Sequence, residues 1–453
     1  MSDPSSAAPV TPAATTDAMA SAAGGPAAAA AAAADRFARL THFGGFDWGG
    51  AEHQFVAVDS GGRIVLSLRF ANDAQGWALF REKVAALPAL GVAIETCCGP
   101  AVERLVDAGP AVYPMNPKAA ERYRDRKAPS GAKDDALDAW SFADALRTDG
   151  HGWRPLLAQD PLTTELRLLC RDEVKLIEQR TALVNQLRAA LCEYYPAALA
   201  AFDDWTAEGP WRFVIAFPDP QALLKAGKRK WERFLHAHKL YRPQTADKRM
   251  AAFAGASAFA SPNPAVTRAK SLLAVTVAKQ LCLLESQLEE YRRRVVQLFA
   301  DHPDHDCFGS LPGAGAKLAP RLLAELGANR AVFATAEALQ NYAGTSPVTR
   351  QSGRSRVVVL RRACNKTLRA TVHLWADLSR RTCVWAETYY QQKRAGGMNH
   401  TAALRCLGQR WVKILWKMWQ TGTPYDEALH TRNQTAHGSW VIRLLPPPAA
   451  AKT

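Results

Sequence analysis

Asp47 ends one apolar run, Glu95 ends another, and Asp135 and Asp138 lie three apart in Gly131-Ala132-Lys133-Asp134-Asp135-Ala136-Leu137-Asp138-Ala139. Carboxylates at strand ends, joined by an i,i+3 pair on one helix face, are suitable ligands for hard divalent cations such as Mg2+. Two such ions about 3.5–4 Å apart activate one oxygen and stabilise another during phosphodiester cleavage. Single acidic residues usually mark only a solvated surface. This set stands apart because Asp47 closes Phe43-Gly44-Gly45-Phe46 and Glu95 closes Gly91-Val92-Ala93-Ile94. Both acids therefore sit where a buried strand meets its loop, the position at which open α/β sheets bind ligands.

A second group with chemical potential is Gly344-Thr345-Ser346-Pro347-Val348-Thr349-Arg350-Gln351-Ser352-Gly353-Arg354-Ser355-Arg356. Arg350, Arg354, Arg356, Arg361, Arg362, Lys366 and Arg369 make Arg350–Arg369 strongly cationic, with no acid among them. Such cations neutralise a phosphate under attack and help a serine hydroxyl act as nucleophile. A serine beside glycine is more often a turn residue. Gly353 would let the backbone bring Ser352 close to DNA, but chemistry alone does not choose Ser352 over Ser346 or Ser355.

The elements that must hold the acids read as three antiparallel strands followed by alternating helices and strands. Phe43–Trp48 and His53–Asp59 are strand-like, and Ser60-Gly61-Gly62 turns the chain into Arg63–Phe70. A helix near Asp73–Leu87 precedes the Val92–Glu95 strand, another near Pro100–Ala108 precedes Ala111–Pro114, and Asp135–Leu146 is helical. That order predicts a ribonuclease-H-like sheet. The plainer alternative is an α/β domain whose acids cap helices, since Asp134 or Asp135 would serve as an N-cap.

Composition points towards a nucleic-acid partner: 57 Lys and Arg against 42 Asp and Glu give a formal charge of +15, which attracts phosphate backbones. The nine cysteines are odd in number and contain no Cys-x-x-Cys pair, so a reducing cytoplasm is expected. No apolar run approaches membrane-spanning length. The Ala27–Ala34 run has no Lys or Arg before it, which argues against a secretory signal. Residues 1–40 read as a disordered leader.

Leu162, Leu169, Leu176 and Leu183 recur every seven residues until Pro196, and Ala274, Val277, Leu281, Leu284, Leu288, Tyr291, Val295 and Leu298 alternate spacings of three and four. This is coiled-coil patterning, which serves an intramolecular hairpin or a dimerising arm equally well. The length of the stripe tilts the expectation towards oligomerisation. About residues 197–264, Trp205, Trp211, Trp231, Phe213, Phe217 and Phe234 lie among Lys225, Lys228, Arg229, Lys230 and Arg233. Such interleaving either stacks on unpaired bases or forms a satellite core with a wet basic face. Gly313-Ala314-Gly315 before a helix suggests a phosphate grip of the helix-hairpin-helix type. His302, His305, Asp306 and Cys307 lack a second ligand pair and read as a turn.

Taken together, the chain resembles the DEDD transposases, or recombinases, of the insertion-sequence-110 family. The likeness rests on Gly45-Phe46-Asp47-Trp48, Ile94-Glu95-Thr96, Asn116-Pro117 and Lys133-Asp134-Asp135-Ala136-Leu137-Asp138-Ala139 in the first part. In the last part it rests on Leu311-Pro312-Gly313, Tyr342-Ala343-Gly344, Pro347, Ser352-Gly353 and Asn365-Lys366-Thr367-Leu368-Arg369. The resemblance implies a RuvC-like domain over 41–150 with Asp47, Glu95, Asp135 and Asp138 binding Mg2+. It implies a mainly helical transposase domain over 305–430 with Ser352 as nucleophile; between the two, the heptad spacing predicts a coiled-coil region over 160–300, and residues 431–453 read as a tail. The resemblance further implies a covalent serine–DNA intermediate, a composite site built within a dimer or tetramer, and a noncoding bridge RNA that pairs with donor and target DNA. Asp134 is a fifth acid that the family pattern does not require. The expected protein is thus a DNA recombinase of a mobile element, acting in a prokaryotic cytoplasm on nucleoid DNA. Its rivals are a RuvC-like nuclease using the acids alone and a catalytically silent nucleic-acid scaffold.

Overall fold

The computed structural model describes residues 35–126, 134–156, 160–254 and 263–445. Most of the Ala-rich leader, Gly131-Ala132-Lys133 of the acidic motif, the end of the Trp-rich insertion and the last eight residues lie outside them. The chain divides into two units: residues up to 160 with Asn329–Gln340, and Pro161–Ala328 with residues from 341 onward.

In the first unit, β1 (His42–Trp48), β2 (Glu52–Asp59) and β3 (Ile64–Ala71) form an antiparallel meander. β4 (Leu90–Ile94) and β5 (Ala111–Pro114) extend it in parallel from the other side of β1, giving the order β3-β2-β1-β4-β5. This is the ribonuclease-H-like sheet expected from the strand order. Helices α1 (Ala74–Ala85), α2 (Pro100–Asp107), α3 (Pro117–Asp125) and α4 (Asp135–Asp149) belong to the same unit.

Strand alternation divides the core in two. Phe46, Phe55, Val92 and Ile94 pack with Trp77 and Phe80 of α1 and with Val102 and Leu105 of α2. Phe43, Val58, Ala93 and Tyr113 pack with Phe142, Ala143 and Leu146 of α4. Side chains two apart in a strand share a face, so Asp47 and Glu95 belong with Phe43 and Ala93 on the α4 side.

The second unit is built on α5 (Pro161–Tyr194) and α10 (Pro264–Ala300), which pack along one another. Pro196 ends the first of these, as its missing N–H requires. The apolar stripe of α10 is buried within the chain at Ala274, Val277, Leu281, Leu284, Leu288, Val295 and Leu298. On α5 the buried seam runs through Leu166, Cys170, Val184, Leu187 and Leu191, with Leu162, Leu169, Leu176 and Leu183 at its half-buried edge. Charged residues enter that seam. Glu173 is buried against Arg321 at 2.8 Å, and Arg180 and Arg292 hold Glu285 at 2.7 and 2.8 Å.

Between these helices lie α6 (Pro196–Ala201), α7 (Glu208–Ala216), α8 (Pro220–Ala237) and α9 (Pro243–Ala254). Trp205, Trp211, Trp231, Phe213 and Phe217 are all buried, in one cluster with Leu187 and Leu281. Lys225, Lys228, Arg229, Lys230 and Arg233 stay exposed. The satellite core with a wet basic face is therefore the arrangement observed, and ring faces spent on packing are not offered to bases.

The rest of the unit comprises α11 (Gly315–Leu326), the hairpin β6 (Val348–Ser352) and β7 (Ser355–Val359), α12 (Lys366–Ser379), α13 (Val384–Ala395), α14 (His400–Thr421) and α15 (Glu427–Ala436). The turn before α11 is taken up by packing: a Cβ on Gly313 would stand 2.6 Å from the Ser379 backbone nitrogen, and Trp375 donates to the Pro312 carbonyl at 3.0 Å. That leaves Gly313 a structural role in place of the expected phosphate grip. His302 is buried between Thr163 Oγ1 and the Asp304 amide, each at 3.0 Å, as suits a turn. No helix among the described residues is long and apolar enough to cross a membrane, and all nine cysteines are thiols.

Candidate active site

Parallel pairing of Phe46 with Ile94 puts Asp47 and Glu95 one residue further along adjacent strands. Adjacent strands are about 4.8 Å apart, so the two acids are neighbours by construction. The third acid comes from α4, which can approach β1 because position 45 is glycine. A Cβ there would lie 1.9 Å from the Ala139 carbonyl oxygen and 2.6 Å from the Ala143 nitrogen. Gly45 in Gly45-Phe46-Asp47 thus sets the distance between the strand and the helix that carries Asp138.

Asp47, Glu95 and Asp138 line one cleft of about 470 Å3. Asp135 is exposed on the first turn of α4 and is not among the lining residues. Asp134 stands at the N-cap position without a side-chain capping bond, so capping does not account for it. The acidic first turn suits the positive end of the helix dipole.

Three lining residues were not singled out in the sequence. Asn116 caps α3, accepting from the Lys118 amide at 2.9 Å, and Pro117 takes the first helical position. Lys118, Glu121 and Arg124 then follow at three-residue intervals into the cleft. The Asn116-Pro117 pair is the signal that could have found them, because a fixed helix start fixes which face meets the sheet. Arg124 forms a very close ion pair with Asp138, which is 2% exposed. Asp144, a later buried acid of α4, is held instead by Arg126 and Arg147 at 2.5 and 2.6 Å and has a structural role.

Four carboxylates against Lys118 and Arg124 leave the lining two negative charges in excess. Oxygen donors of this kind fit a hard divalent cation, and a cation, the Arg124 guanidinium, already sits against Asp138. Among the described residues no three His, Cys, Asp or Glu side chains stand close enough to share one ion. Arg124 is what meets the charge of Asp138 in this arrangement.

Ser352 belongs to the second unit, at the end of β6. It pairs with Ser355 across a two-residue turn, Gly353-Arg354, in which Gly353 adopts φ +54°. A side chain would be strained at that φ. Ser352, Arg350, Arg354, Arg356, Val357 and Val358 are all exposed, so the hydroxyl stands at the tip of a solvated cationic hairpin. Arg362 and Lys366 are exposed as well, whereas Arg361 donates to the Ser346 carbonyl and Arg369 to the Arg361 carbonyl, both at 3.4 Å. Asn365 anchors the segment after β7. It caps α12 through the Leu368 amide at 3.0 Å and donates to buried Glu325 at 2.6 Å and to the Tyr342 hydroxyl at 2.9 Å. Glu325 is held in turn by Arg171 at 2.7 and 2.8 Å.

The comparisons with known proteins bear on both units. A DEDD-type transposase family of the IS110 kind matches residues 44–196, and the "Transposase IS116/IS110/IS902 family" matches residues 305–391. The IS117 mini-circle protein of Streptomyces coelicolor, named as a transposase, is 33% identical over 398 residues, 86% of this chain and 96% of its own. The chain belongs to the IS116/IS110/IS902 family of transposases. This transposase is also similar to the 44.8 kDa protein of insertion element IS116 from Streptomyces clavuligerus, 30% identical over 83% of this chain and 93% of that one. The 42 kDa protein of insertion element IS900 from Mycobacterium paratuberculosis is 29% identical over 85% and 98%. The first matched interval of the transposase contains Asp47, Glu95, Asp135 and Asp138; the second contains Ser352.

Proposed function

We propose that this DNA transposase cuts and rejoins strands through a covalent serine–DNA intermediate, with the acidic cleft and Ser352 acting on one scissile phosphate. The observation that carries this reading is the presence in one chain of a cleft lined by Asp47, Glu95 and Asp138 and of a serine at the tip of an exposed cationic hairpin. The Ser352 Oγ–phosphorus bond forms as the bond from phosphorus to the departing deoxyribose oxygen breaks. The hydroxyl proton leaves Ser352 and a proton reaches the departing oxygen. Attack by the hydroxyl of another strand reverses the exchange and frees the serine. Arg350, Arg354 and Arg356 offset the charge of the phosphate.

Asp47, Glu95 and Asp138, joined by Asp135 on the family pattern, would hold Mg2+, which when bound polarises a phosphoryl oxygen as a Lewis acid. The partners in this proposal are donor and target DNA, a bridge RNA that pairs with both, and further copies of the chain in a dimer or tetramer. The +15 charge supports a polyanionic partner, and the family resemblance supports the RNA.

The decisive measurement is a denaturation-resistant protein–DNA adduct, formed with RNA that copurifies with the protein and mapped by mass spectrometry. Ser352→Ala is expected to abolish the adduct and strand exchange while retaining DNA and RNA binding. Ser346→Ala and Ser355→Ala retain the adduct, and Asp47→Ala or Glu95→Ala abolish recombination with RNA binding largely spared. An adduct on another residue would refute the serine assignment. Cleavage without any adduct would favour the nuclease, and binding without cleavage the silent scaffold.

A further inference from the structure

The insertion spends its aromatic rings on its own core, and aromatic and cationic residues recur, arranged differently, near the end of the second unit. Helix α14 carries Arg405, Arg410, Lys413 and Lys417 and no acid. Arg410, Lys413 and Lys417 fall on one helical face and are exposed. With Trp385, Tyr389 and His430 they line a cleft of about 380 Å3. Tyr389 stacks on Trp440 with ring centroids 5.4 Å apart and planes 28° from parallel. The Lys393 ammonium lies 5.5 Å from the first ring centre and 5.9 Å from the second, and the Arg410 guanidinium lies 5.7 Å from Tyr389. On the Trp440 side, Lys393 and Arg443 help to line a second cleft of about 540 Å3.

Neither lining includes an Asp or Glu, although the chain has 42 of them. Five cations without an acid call for an anionic ligand. Trp385 and Tyr389 are buried, whereas Trp440 and His430 are half-buried; the latter two rings, with the Asn433 and Gln434 amides in the first cleft, call for a flat heterocycle with polar edges. Both volumes fall in the range of about 300–1,000 Å3 usual for small-ligand sites. A nucleotide unit combines the two features. A duplex keeps its bases stacked and offers no base face, so a partly exposed ring serves an unpaired nucleotide.

We propose that the two clefts flanking the Tyr389–Trp440 stack bind unpaired nucleotides of a nucleic-acid strand, with bases against the half-buried rings of Trp440 and His430 and phosphates against Arg410, Lys413 and Lys417. The Ser352 hairpin lends no residue to either cleft.

The test uses the full chain and fluorescence anisotropy with labelled oligo(U), oligo(dT) and a blunt DNA duplex of equal length, at one salt concentration. Trp440→Ala, and separately Lys413→Gln/Lys417→Gln, are expected to weaken single-strand binding about tenfold and duplex binding less than about threefold, with Trp440→Phe restoring most of the loss. The two lysines are exposed, so their replacement reads the site without disturbing the fold. A selective loss on oligo(U), on oligo(dT) or on both supports the proposal and says whether RNA, DNA or either occupies the site. Equal losses on single strand and duplex, or no loss on any probe, overturn it. Binding is read without cleavage, and the same pattern is expected with Ser352→Ala, so failure of the serine assignment leaves this result intact.

Discussion

A carboxylate as deeply buried as Asp138 is costly without a counter-charge, and Arg124 supplies one. Arg124→Ala is therefore expected to lower the unfolding free energy by about 3 kcal/mol, the lower end for a broken buried pair because Arg124 is partly solvated. Denaturant melts check this, and an unchanged midpoint would show that the pair contributes nothing. If Mg2+ and Arg124 share Asp138, added Mg2+ raises the variant's midpoint more than that of the wild type. His53 of β2, packed on the opposite face of the sheet with Phe46 and Trp77, carries a second prediction. Burial, aided by Arg104, pushes its pKa below the ordinary 6.5, against an opposing interaction with the Asn72 side chain. Its Nδ1 accepts from the Gly49 amide at 3.2 Å, and Phe46, Phe70 and Trp77 surround the ring. The folded state thus prefers neutral His53, while the unfolded chain takes up the proton near pH 6.5. Stability is present above that pH and lost as pH falls below it. In His53→Phe the decline between pH 7 and pH 5 should be shallower by up to about 1.4 kcal/mol per pH unit.

The contact between β1 and α4 fixes the strand acids relative to the helix acids. Gly45→Ala forces a methyl group against the backbone of Ala139 and Ala143, where no side chain can swing aside. A loss of about 3 kcal/mol or more is expected, together with weaker Mg2+ binding by calorimetry; a variant as stable as the wild type would mean that the helix shifts freely. Strand alternation and turn residues made β1 to β5 legible in the sequence, and with them the shared face of Asp47 and Glu95. The contribution of α3 was not legible, because Lys118, Glu121 and Arg124 look alike on a helix facing solvent and on one facing a cleft. Only the packing of that helix distinguishes the two. Glu173 and Arg180 show the same limit inside the long helices, where a heptad reading sees leucines and misses ion pairs set in the seam. Such pairs fix the register of two helices more sharply than apolar contacts do. The i,i+3 spacing of Asp135 and Asp138 predicts a shared helix face. Asp135 nevertheless lies at the very start of α4, exposed to solvent, and is absent from the cleft lining.

Across the whole molecule, the excess of cations governs how the chain meets its substrate. Arg350, Arg354, Arg356, Arg362 and Lys366 are exposed close together in sequence, and each phosphate they neutralise releases counterions. DNA affinity should fall at least about a hundredfold between roughly 50 and 200 mM salt, as measured by filter binding; indifference to salt would remove the backbone-gripping role. The path of the chain has a different consequence. Asn329–Gln340 returns to the first unit after the long helices have been made, and Arg154 donates to the Val332 carbonyl at 2.7 Å within that unit. A gene fragment ending near residue 160 therefore encodes an incomplete acidic unit, and one beginning there carries a stray piece of it. No single genetic crossover can exchange the acidic unit for that of another element as a finished cassette. The two halves of this transposase should consequently share one evolutionary history, with mosaic relatives rare and their exchange points in pairs.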